Sequence, residues 1–303
     1  MLRSLCGELP RRVPGPAVPG NVPTPAARPV PPEPASLGRL GRLEVRLAAG
    51  PREVRRAQRL RYRVFFEDGD AVPAPLAALQ RRDVDPFDAI CDHLLVLDHD
   101  VAPKPFRAAK PRVVGTYRLL RHDVAERNGG FYSAGEFDIA PLLARHAGRR
   151  FLELGRSCVL GPYRSRKTVE LLWAGIWAYV RRHRIDAMFG CASLEGTDPD
   201  ALAAQLAFLY RNALATPEWR VRARPERHVA MDRSAPGSLD EKGALRALPP
   251  LVKAYLRVGA RFGESAVVDD RFGTTDVFVT LPVADISPRY LDYFGPAANR
   301  FAA

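Results

Sequence analysis

Glu153 stands among Phe151, Leu152 and Leu154, where every near neighbour is apolar. A carboxylate in such a strand is buried, and buried Glu is rare unless paired or put to use. Arg156 follows three residues later, in Glu153-Leu-Gly-Arg156-Ser157. Two uses are open: an ion pair that pins the strand, or a carboxylate that takes a proton from a reacting group. A second group lies upstream, with Asp83, Asp85 and Asp88 close together. Three such carboxylates repel unless cations sit among them. Arg61 and Arg63 are available, and so is Arg118, the one strong charge in the apolar run 113–120. A bound ammonium could serve as well. Plainer roles exist for the same residues: a solvated acidic loop, Asp83 or Asp85 capping a turn, and Arg118 held by one of the aspartates. Arginines interleaved with carboxylates suit a free amino acid, which brings both an amine and a carboxylate. Such an amine, with a pKa of ~8 or above, must lose a proton before it attacks, and a carboxylate, directly or through water, can accept it.

These groups need elements to position them. Leu43, Val45 and Leu47 alternate with charged residues, the pattern of a half-buried strand. Pro51 opens a helix at the turn where its missing N–H costs nothing. That helix carries Arg52, Arg55, Arg56, Arg59, Arg61 and Arg63, some solvated and some expected to meet an anionic partner. Phe65, four residues after Arg61, shares its helical face. A Pro-bearing loop then holds the aspartates. Strands are expected over 93–97, 113–120 and 151–160, with a hairpin loop over 101–112. Val169, Leu172, Trp173, Ile176, Trp177 and Val180 recur at helical spacing, which predicts a helix over 165–184. A strand over 185–192 and a helix over 199–214 capped by Asp198 follow. A helix at 251–258 and strands at 266–269 and 276–281 complete the order.

The chain has 303 residues, 47% hydrophobic and 26% charged, ample for a sizeable core in one large domain or two small ones. A net charge of +12 points to an acidic partner: nucleic acid, an anionic lipid surface or an acidic protein. No helix-turn-helix, finger or RNA-binding signature is present, so nucleic acid is not an expected partner. Cys6, Cys91, Cys158 and Cys191 show no C-x-x-C pair and no metal-ligand spacing. They read as reduced thiols of a cytosolic protein, with Cys158 and Cys191 buried and inert, and no metal is expected. The longest apolar run, about 169–180, falls short of the ~20 residues that span a bilayer. Ten of the 28 prolines lie between Pro10 and Pro34, so residues 1–38 are expected to form a disordered or polyproline tail.

The succession of Arg61 and Phe65, the Asp83-x-Asp85-x-x-Asp88 spacing, Gly115-Thr-Tyr-Arg118 and Glu153-x-x-Arg156 resembles the acyl-homoserine-lactone synthases. Those enzymes move a fatty acyl group from acyl carrier protein onto an amine. Two later segments, 189–199 and 248–260, continuing to Asp269, Phe272, Thr275, Asp276, Arg289 and Tyr290, resemble a sister group, the ornithine–acyl carrier protein N-acyltransferases. The matches run from about residue 43 to 293, and the proline-rich tail has none. The resemblance implies a GCN5-related N-acetyltransferase (GNAT)-like fold, α/β (α+β), a mixed sheet flanked by helices. It would occupy residues 39–303, with a C-terminal helix–strand extension.

The resemblance also implies a function: transfer of a 3-hydroxyacyl chain from acyl carrier protein to the α-amine of L-ornithine, giving lyso-ornithine lipid. In the family the Glu of Glu-x-x-Arg is the proposed base, which makes Glu153 the expected proton acceptor. Asp83, Asp85, Asp88, Arg118, Arg156 and Ser157 form the expected substrate-binding set, the aspartates on the amine side. The turn 161–168 lacks the Gly-x-Gly/Ala spacing of acetyl-coenzyme A users. That fits a carrier whose only phosphate joins pantetheine to protein, and equally fits a loop that binds nothing. Arg61, Arg164, Arg166 and Lys167 are expected to meet acyl carrier protein. No cofactor is expected beyond the donor's own phosphopantetheine. The lipid product implies a cytoplasmic protein with a peripheral contact at the inner membrane. Ornithine rests on resemblance alone. Glutamine, glycine, lysine or a homoserine-lactone precursor remain open as acceptors, as does a basic membrane- or acidic-partner-binding protein without catalysis.

Overall fold

The computed structural model describes residues 36–100, 110–235, 237, 239–287 and 289–290. Most of the expected 1–38 tail and of the expected loop 101–112 lies outside these residues. Gly38–Leu40 already forms a strand, β1, so folded structure starts before the alternating residues that announce β2 (Leu43–Leu47). Pro51 is the first residue of α1 (Pro51–Tyr62). The helix does not run on evenly to Phe65. Residues Arg63–Glu67 widen into a π turn, so Arg61 and Phe65 do not stack on one α-helical face. Arg61 goes into the core and Phe65 borders a cavity.

A short helix, α2 (Pro75–Gln80), and a 3-10 turn capped by Asp85 precede β3 (Asp92–Asp98) and β4 (Arg112–Arg121). Two short helices follow, α3 (His122–Arg127) and α4 (Ala140–Arg145), with a 3-10 turn at Tyr132–Gly135 between them. Next come β5 (Phe151–Val159), α5 (Arg166–His183) capped by Ser165, and β6 (Ala187–Glu195). Helix α6 (Ala203–Ala213) begins later than expected. Asp198 does not cap it, because its carboxylate accepts from the Asp200 amide at 2.9 Å in a turn of its own. The chain ends in β7 (Val229–Ala230), α7 (Glu241–Ala247), α8 (Pro250–Val258), β8 (Arg261–Asp269) and β9 (Thr274–Pro282). β8 starts before the expected residue 266 because the register slips between Phe262 and Ala266 and interrupts the alternating pattern.

The strands form one mixed sheet in the order β1-β2-β3-β4-β5-β6-β9-β8-β7. This is the expected sheet flanked by helices. Neighbours are antiparallel except β5 and β6, which are parallel and register only Phe151–Glu153 against Ala187–Phe189. Past that point their ladder stops. Gly190 sits where they part, and a β-carbon there would lie 2.3 Å from the Leu154 carbonyl oxygen. β5 also bulges: Gly155 pairs with Arg118 and Cys158 with Thr116, so Arg156 and Ser157 oppose one residue, and Arg156 adopts φ +50°.

Side chains alternate across this sheet. Leu152, Leu154, Met188 and Ala192 join the larger core, which also holds α5 and α8. Helix α5 packs so closely that a β-carbon on Gly175 would meet Val45 at 2.7 Å. Phe151, Phe189 and Phe278 join a smaller core with Ala125 of α3, Leu142 of α4 and Phe137. Glu153 and Cys191 therefore emerge on the face away from α5. Among the described residues no helix is long and apolar enough to cross a membrane.

Candidate active site

A cavity of about 360 Å³ opens where β5 and β6 part, bordered by Glu153, Arg156, Ser157, Cys191, Ser193 and Asp276. Glu153 is buried, and alternation on β5 aims it away from α5. Its Oε2 accepts from the Tyr132 amide at 2.9 Å, and its Oε1 from the Ser133 amide at 2.7 Å and the Ser133 hydroxyl at 2.6 Å. All three donors come from the 3-10 turn at Tyr132–Gly135, between α3 and α4. Burial raises the Glu153 pKa, and the Ser133 and Tyr132 donors counter only part of that. Among the described residues Glu153 makes no ion pair, so the expected alternative of a Glu153–Arg156 bridge is not what forms.

Arg156 turns instead to the upstream aspartates. Its Nε lies 3.2 Å from Asp83 and its Nη2 3.1 Å from Asp85, while its guanidinium packs 4.8 Å from the ring centres of Tyr132 and Phe272. Arg118 reaches Asp85 at 2.5 Å and Asp88 at 3.4 Å. Arg61, 0% exposed, donates to both Asp88 oxygens at 2.8 and 2.6 Å, and its Nε lies 2.9 Å from Asp83 without the alignment of a hydrogen bond. Three arginines thus meet three aspartates in one buried lattice. Asp83 and Asp88 are themselves buried, and none of the three aspartates borders the cavity. Two expectations change accordingly. Arg61 cannot meet a carrier protein, because it has no exposed surface. The aspartates, expected at the amine of a substrate, hold arginines and stand back from the cavity. Arg118 and Arg156 do border the cavity, and Ser157 lies at its wall beside Tyr117.

Across the cavity the balance is reversed. Asp276 borders it, and its Oδ1 accepts from the Thr274 hydroxyl at 2.9 Å. Glu136 lies behind, 3.3 Å from Arg227 and 3.8 Å from the Cys191 sulfur. Burial, with the charge of Asp276, pushes the Glu136 pKa up to about 7. Glu136, Cys191 and Asp276 bring their donor atoms within 4.8 Å of one another. Burial raises the Cys191 thiol well above its ordinary range, in keeping with an inert thiol and against a thiolate ligand. The sequence offered no role for Glu136, Tyr132 or Ser133, because a short 3-10 turn leaves no periodic signal.

A second cavity of about 220 Å³ shares Val64, Tyr117, Ser157, Arg164 and Leu251 with the first, and adds Val169, Leu172 and Trp173. Its apolar lining suits an alkyl chain. The Tyr117 and Tyr255 hydroxyls, 2.9 Å apart, lie at the junction. At the mouth, Arg164, Arg166 and Lys167 are exposed around the first turn of α5, with Arg166 paired to Glu170 at 2.6 Å.

The acetyltransferase (GNAT) domain family matches residues 60–174, from the end of α1 into α5. The L-ornithine N(alpha)-acyltransferase of Rhizobium meliloti (strain 1021) is 55% identical over 267 residues, 88% of this chain and 89% of that protein. The enzyme of the same name from Agrobacterium fabrum (strain C58 / ATCC 33970) is 53% identical over 264 residues, 87% and 89% of the two chains. The chain belongs to the L-ornithine N(alpha)-acyltransferase family. As a member of that family it is an enzyme of the acyltransferase class, built on a GNAT-like sheet. A solved coenzyme A-dependent acyl-homoserine-lactone synthase covers 81% of this chain and 87% of its own at 14% identity and a TM-score of 0.41. A likeness so distant says nothing about activity.

Proposed function

We propose that the enzyme transfers a 3-hydroxyacyl group from acyl carrier protein to the α-amine of L-ornithine, forming lyso-ornithine lipid, the first step of ornithine-lipid synthesis. The observation that carries this reading is Glu153: a buried carboxylate with no ion pair among the described residues, standing where β5 and β6 part. The family supports the acceptor and the site supports the chemistry.

In this reading the α-amine gives its proton to Glu153, directly or through water, and attacks the thioester carbonyl. A backbone amide at the β5 bulge receives the oxyanion. Collapse of the tetrahedral intermediate forms the amide, breaks the C–S bond and releases the carrier's thiol, which takes up the proton. Arg118 and Arg156 meet the acceptor's carboxylate, and Asp83, Asp85 and Asp88 hold those arginines in place. The acyl chain lies in the apolar cavity against Val169, Leu172 and Trp173. Arg164, Arg166 and Lys167 receive the carrier, whose phosphodiester faces the N-terminus of α5.

A peripheral contact with an anionic inner-membrane surface belongs to the same reading. It is supported by the exposed Val72, Leu76 and Leu79, the last 83% exposed, which follow the cavity-rim residues Asp68–Ala71 and precede Arg81 and Arg82. Co-sedimentation with anionic and neutral vesicles tests that contact. The activity itself is tested by mass spectrometry of purified protein with 3-hydroxyacyl carrier protein and a panel of amino acids. An acyl-ornithine product is expected. Acylation of a different amine would move the acceptor, and no product from an intact donor would sink the reading.

A further inference from the structure

We propose that Asp276 anchors the terminal ammonium of a diamino acid, so that the acidic side of the cavity selects both the acceptor and the amine that reacts. This rests on the acceptor reading given for Glu153. The argument begins with strand register. Ser193 of β6 pairs with Asp276 of β9, so the two side chains share one sheet face. Cys191, two residues before Ser193, points the same way, and so does Glu153, which registers with Phe189 on that face. Glu153 and Asp276 therefore look into one cavity from one side of the sheet.

The two carboxylates are set apart by a short relay. The Ser133 hydroxyl donates to Glu153 at 2.6 Å and lies 3.5 Å from the Cys191 sulfur. The Cys191 sulfur in turn lies within 4.8 Å of an Asp276 oxygen. Two side chains of spacing suit the two amines of one small acceptor. The amine at Glu153 loses its proton and attacks, while the amine at Asp276 stays charged and holds position.

Charge accounting favours a cation at Asp276. It is 8% exposed, borders the cavity and makes no ion pair among the described residues. Its hydrogen bonds come from the neutral hydroxyls of Thr274 and Ser193. Glu136 adds a second negative charge nearby, and Arg227 reaches only the Glu136 oxygen remote from Cys191. Across the cavity Arg156 acts on Asp276 through space without pairing to it, because Asp83 and Asp85 hold its guanidinium, while Asp269 adds a further negative charge beside Asp276. A buried carboxylate without an ion pair is unfavourable in its charged form until a cation arrives. A ligand ammonium satisfies it, and an acceptor without a second amine leaves it unsatisfied.

The test compares L-ornithine with L-norvaline, which has the same carbon skeleton and lacks the terminal amine. Both are offered to the full-length enzyme with the acyl carrier protein donor. Wild type is expected to prefer ornithine in kcat/KM by ~30- to 5,000-fold, the range for truncating one partner of a buried charge pair. Asp276→Asn is expected to raise the KM for ornithine over a similar range with a much smaller change in kcat, and to bring the preference close to one. Asp276→Glu is expected to restore part of it. Equal turnover of the two acceptors by wild type would overturn the proposal. So would an Asp276→Asn protein that loses both substrates in the same proportion, or zinc binding in equilibrium dialysis that Asp276→Asn abolishes. Glu153→Gln separates this proposal from the one beneath it. Loss of both acceptors in that variant keeps Glu153 as the base whatever Asp276 does. Full turnover of both removes the base and leaves the preference of wild type to be judged alone.

Discussion

Two groups of acidic side chains approach the same cavity, and the protein treats them in opposite ways. Asp83, Asp85 and Asp88 are locked to Arg61, Arg118 and Arg156, with the more exposed Arg271 at 4.0 Å from Asp83. Glu153 and Asp276 are as deeply buried and have no ion pair among the described residues. Both groups look alike in sequence, as Asp or Glu in or near apolar strands. Paired charge is architecture, because its Coulombic attraction is already used within the protein. Unpaired charge keeps its attraction for a proton or a ligand. The carboxylates most densely spaced in sequence are therefore not the ones that border the cavity.

The largest break in this comparison comes on the unpaired side. Glu153→Gln keeps the shape and most of the hydrogen bonds from Tyr132 and Ser133 while removing the proton acceptor. Turnover with ornithine is expected to fall by ~10²- to 10⁴-fold, with a melting temperature close to wild type. Full activity in this variant would remove Glu153 as the base.

On the paired side the expected loss is stability. Asp88→Ala leaves the fully buried Arg61 without its bidentate partner, and breaking such a pair costs about 3–5 kcal/mol. Urea unfolding measures it. Replacing both partners, Arg61→Met with Asp88→Leu, is expected to recover most of the loss, because no charge is then stranded. A neutral Asp88→Ala would mean that the lattice is not structural.

The two regions also respond to pH in opposite windows. Burial alone would raise the Asp88 pKa, but Arg61 and then Arg118 hold it well below the usual carboxylate range. Its stabilising contribution is present above the unfolded value of about 4 and is lost as pH falls below that. Glu136 runs the other way. Burial and the neighbouring Asp276 lift it to about 7, so its contribution is present in acid and is lost as pH rises from about 4 through 7. Unfolding curves of Asp88→Asn and Glu136→Gln across pH 3–8 are expected to lose the acid limb and the neutral limb respectively. The ionised Glu136 also favours a nearby ammonium. The KM for ornithine is therefore expected to fall as pH rises through about 7, and to do so less in Glu136→Gln.

Much of this was legible before the fold was known. The apolar neighbours of Glu153 marked it as unusual, the helical spacing at 169–180 marked α5, and mutual repulsion among the aspartates called for arginines. Which arginines answered depended on α1 packing across β4 and β5. Arg61 sits among five other arginines in the sequence, and only the turn of the helix sends it inward. Asp276 lies in a segment whose family resemblance is plain. Its place in the site comes from β9 pairing with β6 across some eighty residues, a register that no local pattern carries. Tyr132 and Ser133 act through backbone amides, which every residue has and no spacing reveals.

The smallest expected effect lies at the exposed charges. Arg164, Arg166 and Lys167 stand in solvent around the start of α5, where an ion pair is worth about 0.2–1 kcal/mol and salt screens it over ~8 Å. Charge reversal at Arg164 or Lys167 is therefore expected to raise the KM for acyl carrier protein about 2- to 5-fold per residue, with little change in kcat or in the KM for ornithine. Rising ionic strength should reproduce that pattern in wild type. The buried lattice is shielded from counter-ions, so salt should leave the difference in stability between wild type and Asp88→Ala nearly constant. If salt leaves the carrier KM untouched, the excess of +12 serves some other surface than the one around α5. If salt instead erases the Asp88 difference, the lattice is wetter than its exposure indicates, and the line drawn between paired and available charge would have to move.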